Sequence, residues 1–564
     1  MSHLYLVLLA SLLLHVASAG LSPSVTIPQG SLVGTTLTTR GGREVSAFLG
    51  IPYAAPPTGH LRFKSPQPPL SWEGERDASK EGSECIQQVT FIPKLQDVIV
   101  GSEDCLFLNV FTPKAIEKDI LPVMIYIHGG AFAGGSGDKV NYGPDLLLDR
   151  DVVLVTINYR LGPLGFLSTG DTVLPGNLGM KDQSAALQWV QHNIEHFGGN
   201  KNSVTIFGES AGGASVQLHV QSPLSKGLFH AAISQSGSSL GPCGFSNRAR
   251  HKQLASKLAQ LVDCPLQPSE KFRDCLMALP AENIVGVQKH FMIWDMDPVV
   301  LFTPAEEPEE VEDAFLTQDP WTLSTRSDIP WMIGLTSEDG AIKTTSLTQG
   351  DVEGKFQRLN DDLYSILPMS FMYQYTAQNP DKVTDAIKKF YFDEVDKITP
   401  DMTTALTKMF TDGWLSHGIL ESVRRHSGPV FVYYFAYNRS FSLCSVYYDN
   451  PWHPGVCHLD DLMYLFPMEK HAPNLVPDDP DYIMSTKMVE LWTNFANKKI
   501  PALDDSEQFW QTKKGSTKDY LLISNNGFSI QQSLLAERDQ FWQSLPFREK
   551  SPVEQGGKPF SDEL

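Results

Sequence analysis

The sequence is short of basic residues, of internal repeats and of long apolar runs. Its 45 Lys and Arg stand against 65 Asp and Glu, and the formal charge of −20 excludes a nucleic-acid partner bound through its phosphates. The 43 Gly and 38 Pro are dispersed, without the period of a collagen or a solenoid. Beyond the N-terminus, no stretch reaches the roughly 20 apolar residues of a membrane-spanning helix, so no transmembrane segment is predicted.

Metal-binding patterns are missing as well. The seven Cys form no C-x-x-C pair and no H-E-x-x-H occurs, so the sequence supports no metal site. Seven Cys instead suit an oxidising compartment.

Both ends of the chain carry targeting patterns. The apolar run at 4–16 is too short for a membrane span and is followed at 17–19 by Ala-Ser-Ala, an A-x-A cleavage pattern. We therefore expect a signal peptide at 1–19, although its n-region lacks Lys and Arg. A polar tail, 546–564, ends in SDEL, which resembles the K-D-E-L retrieval signal. Within the secretory route, Asn438 of the sequon Asn-Arg-Ser is a predicted glycosylation site.

Six apolar segments of strand length alternate with helical segments. The strands are predicted at 123–127, 152–157, 204–207, 231–234, 331–335 and 430–436. Because these strands are apolar on both faces, they suit a parallel sheet covered by helices, such as the one predicted over 181–196. The first 60 residues predict an antiparallel edge, and 240–330 and 341–425 look helical. We expect one α/β domain over 20–545, with a largely parallel mixed sheet and lid-like helical insertions.

The third strand runs into a G-x-S-x-G pattern at 208–212 (GESAG). In this pattern the serine stands on a strained strand-to-helix turn, and the flanking glycines leave room for the crowded backbone. The following helix directs its N-terminal N–H groups towards the reacting centre. Ser210 is therefore a predicted nucleophile, and the alternative is a structural turn with an idle serine.

A second glycine cluster, 128–132 (HGGAF), follows the first strand. It matches the H-G-G-G loop, whose backbone amides stabilise negative charge on a reacting oxygen. Ala131 replaces the third glycine of that loop and keeps the amide donor. A plain turn is the alternative here.

A serine nucleophile of this kind requires an acid and then a His later in the chain. Of the 15 His, His458 stands out because it follows the sixth strand by a loop. Glu338 and Asp339 both lie in the turn after the fifth strand, and chemistry alone leaves the choice between them open.

Three segments together resemble the type-B carboxylesterases, which include cholinesterases, liver-type carboxylesterases and juvenile hormone esterases. They are 197–212 (FGGNKNSVTIFGESAG), similar to the active-site signature, 103–110 (EDCLFLNV), similar to a second signature, and 455–466 (GVCHLDDLMYLF), similar to the histidine loop. The resemblance covers about 25–545 and implies an α/β-hydrolase fold. It also implies a Ser210 nucleophile, a His458 base and an oxyanion hole formed by the amides of Gly130, Ala131 and Ala211, with no cofactor.

The acid departs from the family pattern. The family places an acid, usually Glu, directly before the glycine of this turn, and this sequence has Asp339 there and Glu338 one residue earlier. We favour Asp339, since Asp orients an imidazole equally well.

The resemblance also implies two disulfides, which join Cys85 to Cys105 and Cys264 to Cys275. The remaining cysteines are Cys243, Cys444 and Cys457, so at least one thiol is free. The family pattern does not support a Cys444–Cys457 pair, and that pairing stays open.

The expected activity is hydrolysis of small carboxylic esters through an acyl-enzyme. A cholinesterase is disfavoured because 85–105 contains no Trp for cation–π contact with choline. A juvenile-hormone-type esterase is the enzymatic alternative, but that group usually has Gln at the position of Glu209. The non-enzymatic alternative is a cholinesterase-like adhesion protein, a class that lacks the serine present here. The SDEL ending favours the endoplasmic reticulum lumen over an extracellular location, and the sequence leaves the oligomeric state open.

Overall fold

The structure, a computed structural model, describes residues 22–89, 92, 97–113, 120–323, 327–439, 441–450, 452, 455–469, 471, 475–503, 510 and 519–547. The expected signal peptide at 1–19, the tail from 548 onwards with its SDEL ending, and Ser440 of the sequon lie outside the described residues. Predictions for these segments therefore rest on the sequence.

Sixteen β-strands are present in the described part of the chain. They are β1 (Ser24–Ile27), β2 (Gly30–Val33), β3 (Thr35–Thr38), β4 (Glu44–Pro52), β5 (Glu75–Asp77), β6 (Gln87–Gln88), β7 (Ile99–Val100), β8 (Phe107–Pro113), β9 (Leu121–Ile127), β10 (Val153–Ile157), β11 (Gly199–Glu209), β12 (Ala231–Gln235), β13 (Trp331–Thr336), β14 (Val430–Ala436), β15 (Asp519–Ser524) and β16 (Gly527–Gln532). Eleven of them form one sheet in the order β16-β15-β14-β13-β12-β11-β9-β10-β8-β4-β3.

The centre of this sheet is parallel and its edges are antiparallel. β11 pairs in parallel with β9 and β12, and the parallel pairing continues through β13 and β14 to β15. β3, β4 and β8 form an antiparallel ladder at one edge, and β16 pairs antiparallel with β15 at the other. The mixed, largely parallel sheet confirms the predicted fold class, including the antiparallel edge built from the first residues.

The third predicted strand is longer than its apolar core. It begins at Gly199 rather than at 204, because Gly199 already pairs with Leu121. A register irregularity separates this contact from the ladder that starts at Val204. The side chains between them are polar, and backbone pairing does not require apolar side chains. Hydrophobic patterning therefore underestimates the length of this strand.

Helices connect and cover the strands. They span Lys139–Tyr142, Gly162–Phe166, Leu178–Asn193, Ala211–Gln221, Arg248–Leu261, Ser269–Ala278, Ala281–Val285, Ala341–Leu347, Val352–Asp361, Leu363–Ser370, Pro380–Phe392, Thr403–Thr411, His417–Arg425, Leu443–Tyr448, Pro480–Lys498 and Ala536–Ser544. A π-helical turn, Asp412–Ser416, joins the helix that ends at Thr411 to the helix that begins at His417.

The helix predicted over 181–196 is displaced towards the N-terminus. It runs from Leu178 to Asn193 and is followed by a separate 3₁₀ helix, Ile194–Phe197. Glycine has a low helix propensity, so Gly179 argues against a helix that begins before it. A Cβ at Gly179 would, however, lie 2.5 Å from the carbonyl oxygen of Arg160. Tight packing against a neighbouring segment thus accounts for a glycine inside the helix.

The central strands place the candidate functional residues at their carboxyl ends, on one side of the sheet. β9, β10, β12 and β13 are buried along their whole length, and side chains from the two faces of the sheet pack into two core clusters. This explains their continuous apolar runs. Loops at the carboxyl ends of parallel strands gather on the same side, where sites of such sheets form. Among the described helices, none has the length and apolarity needed to cross a membrane.

Candidate active site

Ser210 occupies a sharp turn between β11 and the helix Ala211–Gln221. Its backbone has φ 59° and ψ −122°, a conformation that costs an L-residue of order 1–3 kcal/mol. The Ser210 N–H donates to the carbonyl oxygen of Gln235 at 2.8 Å, which anchors the turn to β12. A Cβ at Gly208 or Gly212 would lie 2.5 or 2.0 Å from the carbonyl oxygen of Ile127. The glycines of the pattern are therefore required by close backbone approach.

The glycine cluster after β9 forms a tight loop beside this turn. Gly130 has a φ of 99°, and a Cβ there would lie 2.1 Å from the carbonyl oxygen of Gly134. Ala131, which replaces the third glycine, adopts a left-handed φ of 57°, so its backbone conformation is strained. Within the described chain, the amides of Gly130, Ala131 and Ala211 donate to no other residue. These donors are thus available to an oxygen in the cavity.

Asp339 and His458 contact each other directly. Nδ1 of His458 lies 2.7 Å from Oδ1 of Asp339, and Asp339 is fully buried. The other carboxylate oxygen of Asp339 accepts the N–H of Thr336 at 3.1 Å and the hydroxyl of Ser236 at 3.0 Å. These hydrogen bonds aim the carboxylate at the imidazole.

Glu338 holds the backbone of the histidine loop. Its N–H donates to the carbonyl oxygen of Val456 at 2.9 Å, and its Oε2 accepts the N–H of Val456 at 2.8 Å. Of the two carboxylates that the sequence left open, the one in contact with His458 is that of Asp339.

A second carboxylate approaches the imidazole from the opposite side. Oε1 of Glu209 lies 3.0 Å from Nε2 of His458, and the Glu209 side chain is completely buried. Burial raises the pKa of Glu209 to about 7, against a smaller opposing effect of His458. Burial also opposes a charged imidazole, but Glu209 and Asp339 outweigh it and raise the pKa of His458 well above its usual value. Among the described residues, Nε2 has Glu209 as its partner, and no hydrogen bond joins it to the hydroxyl of Ser210.

One cavity brings the reactive groups together. Ser210, His458, Gly130, Ala131 and Ala211 all line it. Its walls are largely apolar and come from the predicted insertions; they include Val299, Val300, Trp414 and Leu415.

The cysteines form three disulfides. Cys85 is joined to Cys105 and Cys264 to Cys275, the pairs that the family resemblance implied. Cys444 is joined to Cys457, the pair that the sequence left open. Cys243 is the free thiol and lines the cavity of Ser210. Burial raises the pKa of this thiol to about 12, so it is neutral at physiological pH.

Several polar residues near the site were not found from the sequence. Ser236 donates to Asp339 from the end of β12, where its backbone has a φ of 46°. The buried Asp461 accepts the Gln235 amide at 2.9 Å and the Tyr433 hydroxyl at 3.0 Å. The signal for Ser236 was a Ser-Gln-Ser-Gly segment at the end of a predicted strand. Asp461 lies three positions after His458 within the histidine-loop segment, and the sequence pattern gives it no role distinct from that segment.

No group of three His, Cys, Asp or Glu side chains that could hold a metal ion occurs in the part of the chain that the structure covers. The site described above consists of side chains and backbone amides of this chain.

The sequence profile of the carboxylesterase family matches residues 21–542. The chain belongs to the carboxylesterase family. Esterase FE4 of Myzus persicae is 38% identical over 504 residues, which cover 87% of this carboxylesterase and 87% of that protein. The juvenile hormone esterase of Tribolium castaneum is 34% identical over 566 residues, which cover 94% of this chain and 95% of that protein.

A solved structure has the same architecture as this carboxylesterase. The juvenile hormone esterase of Manduca sexta, with OTFP covalently attached, is similar with a TM-score of 0.83 and 27% identity, and the match covers 93% of this chain and 99% of that one. The fold is therefore the α/β-hydrolase fold. The protein is a carboxylic ester hydrolase, as the sequence resemblance predicted.

Proposed function

We propose that this carboxylesterase acts through a Ser210 acyl-enzyme, with His458 as general base, Asp339 as the acid of the triad and the amides of Gly130, Ala131 and Ala211 as the oxyanion hole. The observation that carries the proposal is the 2.7 Å contact between Asp339 and His458 beside a cavity that Ser210 also lines. The contact between the acid and Nδ1 of the base is the one that serine hydrolases use, and the proposed reaction further requires Nε2 of His458, which here contacts Glu209, to reach the hydroxyl of Ser210.

The proposed reaction has two halves. His458 accepts the hydroxyl proton of Ser210 while the serine oxygen attacks the ester carbonyl, and the backbone amides stabilise the oxyanion. When the alcohol leaves, His458 returns the proton to it, and an acyl-Ser210 ester remains. Water then repeats these steps and releases the carboxylic acid. Asp339 stabilises the imidazolium that forms in each half.

The proposed substrate class is a small ester with an apolar acyl or alcohol group. The apolar side chains of Val300, Trp414 and Leu415 surround the proposed nucleophile and favour such a group. A juvenile-hormone-type esterase is the second candidate, because two of the similar proteins bear that name. Glu209, where that group usually has Gln, favours the general carboxylesterase.

The nucleophile is tested by Ser210→Ala. We expect loss of roughly 10⁶ in kcat with normal folding, and stoichiometric labelling of the wild type at Ser210 by an organophosphate. Ser238→Ala is the matched control, since Ser238 lines the same cavity and has no proposed role. Activity that survives in Ser210→Ala, or labelling at another residue, contradicts the mechanism.

The substrate class is tested with p-nitrophenyl esters of increasing acyl length and with juvenile hormone as a competing substrate. A kcat/KM that depends on acyl length, with poor hydrolysis of the hormone, supports the general carboxylesterase. Efficient hydrolysis of the hormone at low concentration supports the alternative.

We further propose that the protein enters the secretory pathway, is glycosylated at the exposed Asn438 and is retrieved to the endoplasmic reticulum through its SDEL ending. Deletion of 561–564 should increase the fraction of enzyme in the culture medium. An unchanged fraction supports ordinary secretion. Asn438→Gln should remove the mass difference that peptide N-glycosidase produces.

A further inference from the structure

The residue before His458 is part of a disulfide. Cys457 is joined to Cys444, 13 positions earlier, and both cysteines are completely buried. We propose that this disulfide is a positioning element of the histidine loop, which holds the backbone of His458 where catalysis requires it. The inference rests on the proposed function, in which His458 is the general base.

His458 stands on irregular backbone. Residues 455–461 form turns, and Leu459 has a left-handed φ of 76°. Apart from an isolated bridge between Glu338 and Cys457, no strand ladder fixes the direction of this segment within the described residues. Catalytic side chains must be held to within about 0.5 Å of the productive geometry. Local attachments therefore have to supply the precision that regular secondary structure supplies elsewhere.

The first attachment lies on the N-terminal side of His458. Both polar groups of the Val456 backbone are bonded to Glu338. The carbonyl oxygen of Val456 accepts the N–H of Glu338 at 2.9 Å, and the N–H of Val456 donates to the Glu338 carboxylate at 2.8 Å. Glu338 is the neighbour of Asp339, so these bonds tie the histidine loop to the turn that carries the acid.

The second attachment lies on the C-terminal side. The buried carboxylate of Asp460 accepts the N–H of Cys457 with Oδ2 and the N–H of Leu443 with Oδ1, both at 2.8 Å. Leu443 is the neighbour of Cys444, so Asp460 bridges the same two segments as the disulfide. Hydrogen bonds open in local fluctuations, whereas a covalent link limits how far the two segments separate. The disulfide therefore keeps the Asp460 bridge closed.

Another disulfide provides a matched control. Cys264–Cys275 has a sequence separation of 11, close to the 13 of Cys444–Cys457, so the two closures have similar loop entropy. Neither Cys264 nor Cys275 lines the cavity of Ser210. A general effect of removing one disulfide should appear whichever of the two is removed. An effect on the position of His458 should appear only when Cys444–Cys457 is removed.

The test compares two double variants with the wild type. They are Cys444→Ala with Cys457→Ala, and Cys264→Ala with Cys275→Ala. For each, kcat, KM and the pH profile of kcat/KM for a p-nitrophenyl ester are measured at a temperature where near-UV circular dichroism shows native packing. Labelling of Ser210 by an organophosphate is followed in parallel.

For the Cys444/Cys457 variant we expect kcat to fall roughly 10²-fold, the loss associated with a misplacement of about 1 Å, with KM within about twofold of the wild type. The acidic limb of its pH profile should move to lower pH, because looser contacts with Asp339 and Glu209 stabilise the imidazolium less. The Cys264/Cys275 variant should keep the wild-type kcat and profile. A folded Cys444/Cys457 variant with wild-type kcat and profile overturns the proposal. Absence of labelling at Ser210 in the wild type contradicts the proposed function instead.

Partial reduction of the wild type covers the case in which the variant does not fold. Dithiothreitol is oxidised to its cyclic disulfide while two electrons and two protons convert a disulfide into two thiols. The opened pairs are alkylated and identified by peptide mass spectrometry. Loss of kcat that follows the opening of Cys444–Cys457 supports the proposal. Full kcat after that pair has opened and been alkylated overturns it, as does a count of three free thiols rather than one in the untreated, denatured protein.

Discussion

Nε2 of His458 lies 3.0 Å from Oε1 of Glu209, the residue that precedes Ser210 in the chain. With Asp339 at 2.7 Å from Nδ1, the imidazole stands between two buried carboxylates. Both favour the charged ring, and the pKa of His458 rises well above its usual value although burial opposes this. In the proposed mechanism His458 is the general base and must be neutral to accept a proton, so we expect this environment to restrict activity at low pH.

We expect Glu209→Gln to move the acidic limb of the kcat/KM profile to lower pH. The substitution removes a negative charge that stabilises the imidazolium, so His458 becomes neutral at a lower pH. Glu195→Gln, at a half-exposed position in the described structure, is the control and should leave the limb in place. An acidic limb that stays at its wild-type pH in Glu209→Gln would show that this carboxylate does not control the titration of His458.

Asp339→Asn should be far more damaging than Glu338→Gln. An amide at 339 no longer stabilises the imidazolium and favours the wrong tautomer, at a cost of roughly 10⁴ in kcat. Glutamine at 338 retains an oxygen that accepts the Val456 N–H, so its kcat should stay within about tenfold of the wild type. Glu338→Ala removes that acceptor and should cost up to about 10²-fold through misplacement of the loop. If Glu338→Gln is the inactive variant, the acid assignment is wrong.

Cys243→Phe should reduce the length of the acyl or alcohol group that the enzyme accepts. Cys243 lines the cavity of Ser210, and the larger ring would occupy space that a long acyl or alcohol group requires. We expect kcat/KM for a p-nitrophenyl ester of a long acid to fall at least tenfold while that for the acetate changes little. Cys243→Ala serves as the control and should retain the longer esters. Equal losses for all chain lengths would indicate a general disturbance of the site.

The buried Arg160–Asp182 pair should contribute strongly to stability. Nη2 of Arg160 lies 2.7 Å from Oδ1 of Asp182, with side-chain exposures of 5% and 0%. Arg160→Met leaves an unpaired buried carboxylate and should lower the free energy of unfolding by roughly 3–5 kcal/mol. The exposed pair Lys201–Glu195 offers the comparison, and Lys201→Met should cost at most about 1 kcal/mol. Urea unfolding followed by fluorescence measures both values.

The sequence by itself determined the features that depend on neighbouring residues. The elbow at Ser210 was readable from five consecutive residues, because the G-x-S-x-G pattern places a glycine two positions away on each side of the serine. The parallel strands were readable for a similar reason, since burial on both faces produces an apolar run. The fold class and the carboxylesterase resemblance followed from these patterns and from their order along the chain.

Only the tertiary structure decided which distant groups meet. His458 and Asp339 are 119 positions apart, and the choice between Asp339 and Glu338 depends on which way each side chain leaves the turn after β13. Periodicity carries no information on that direction. The contact of Glu209 with the imidazole and the pairing of Cys444 with Cys457 likewise depend on how the histidine loop packs against the end of the sheet. Side-chain contacts of this kind depend on the three-dimensional path of the backbone, which local residue patterns do not specify.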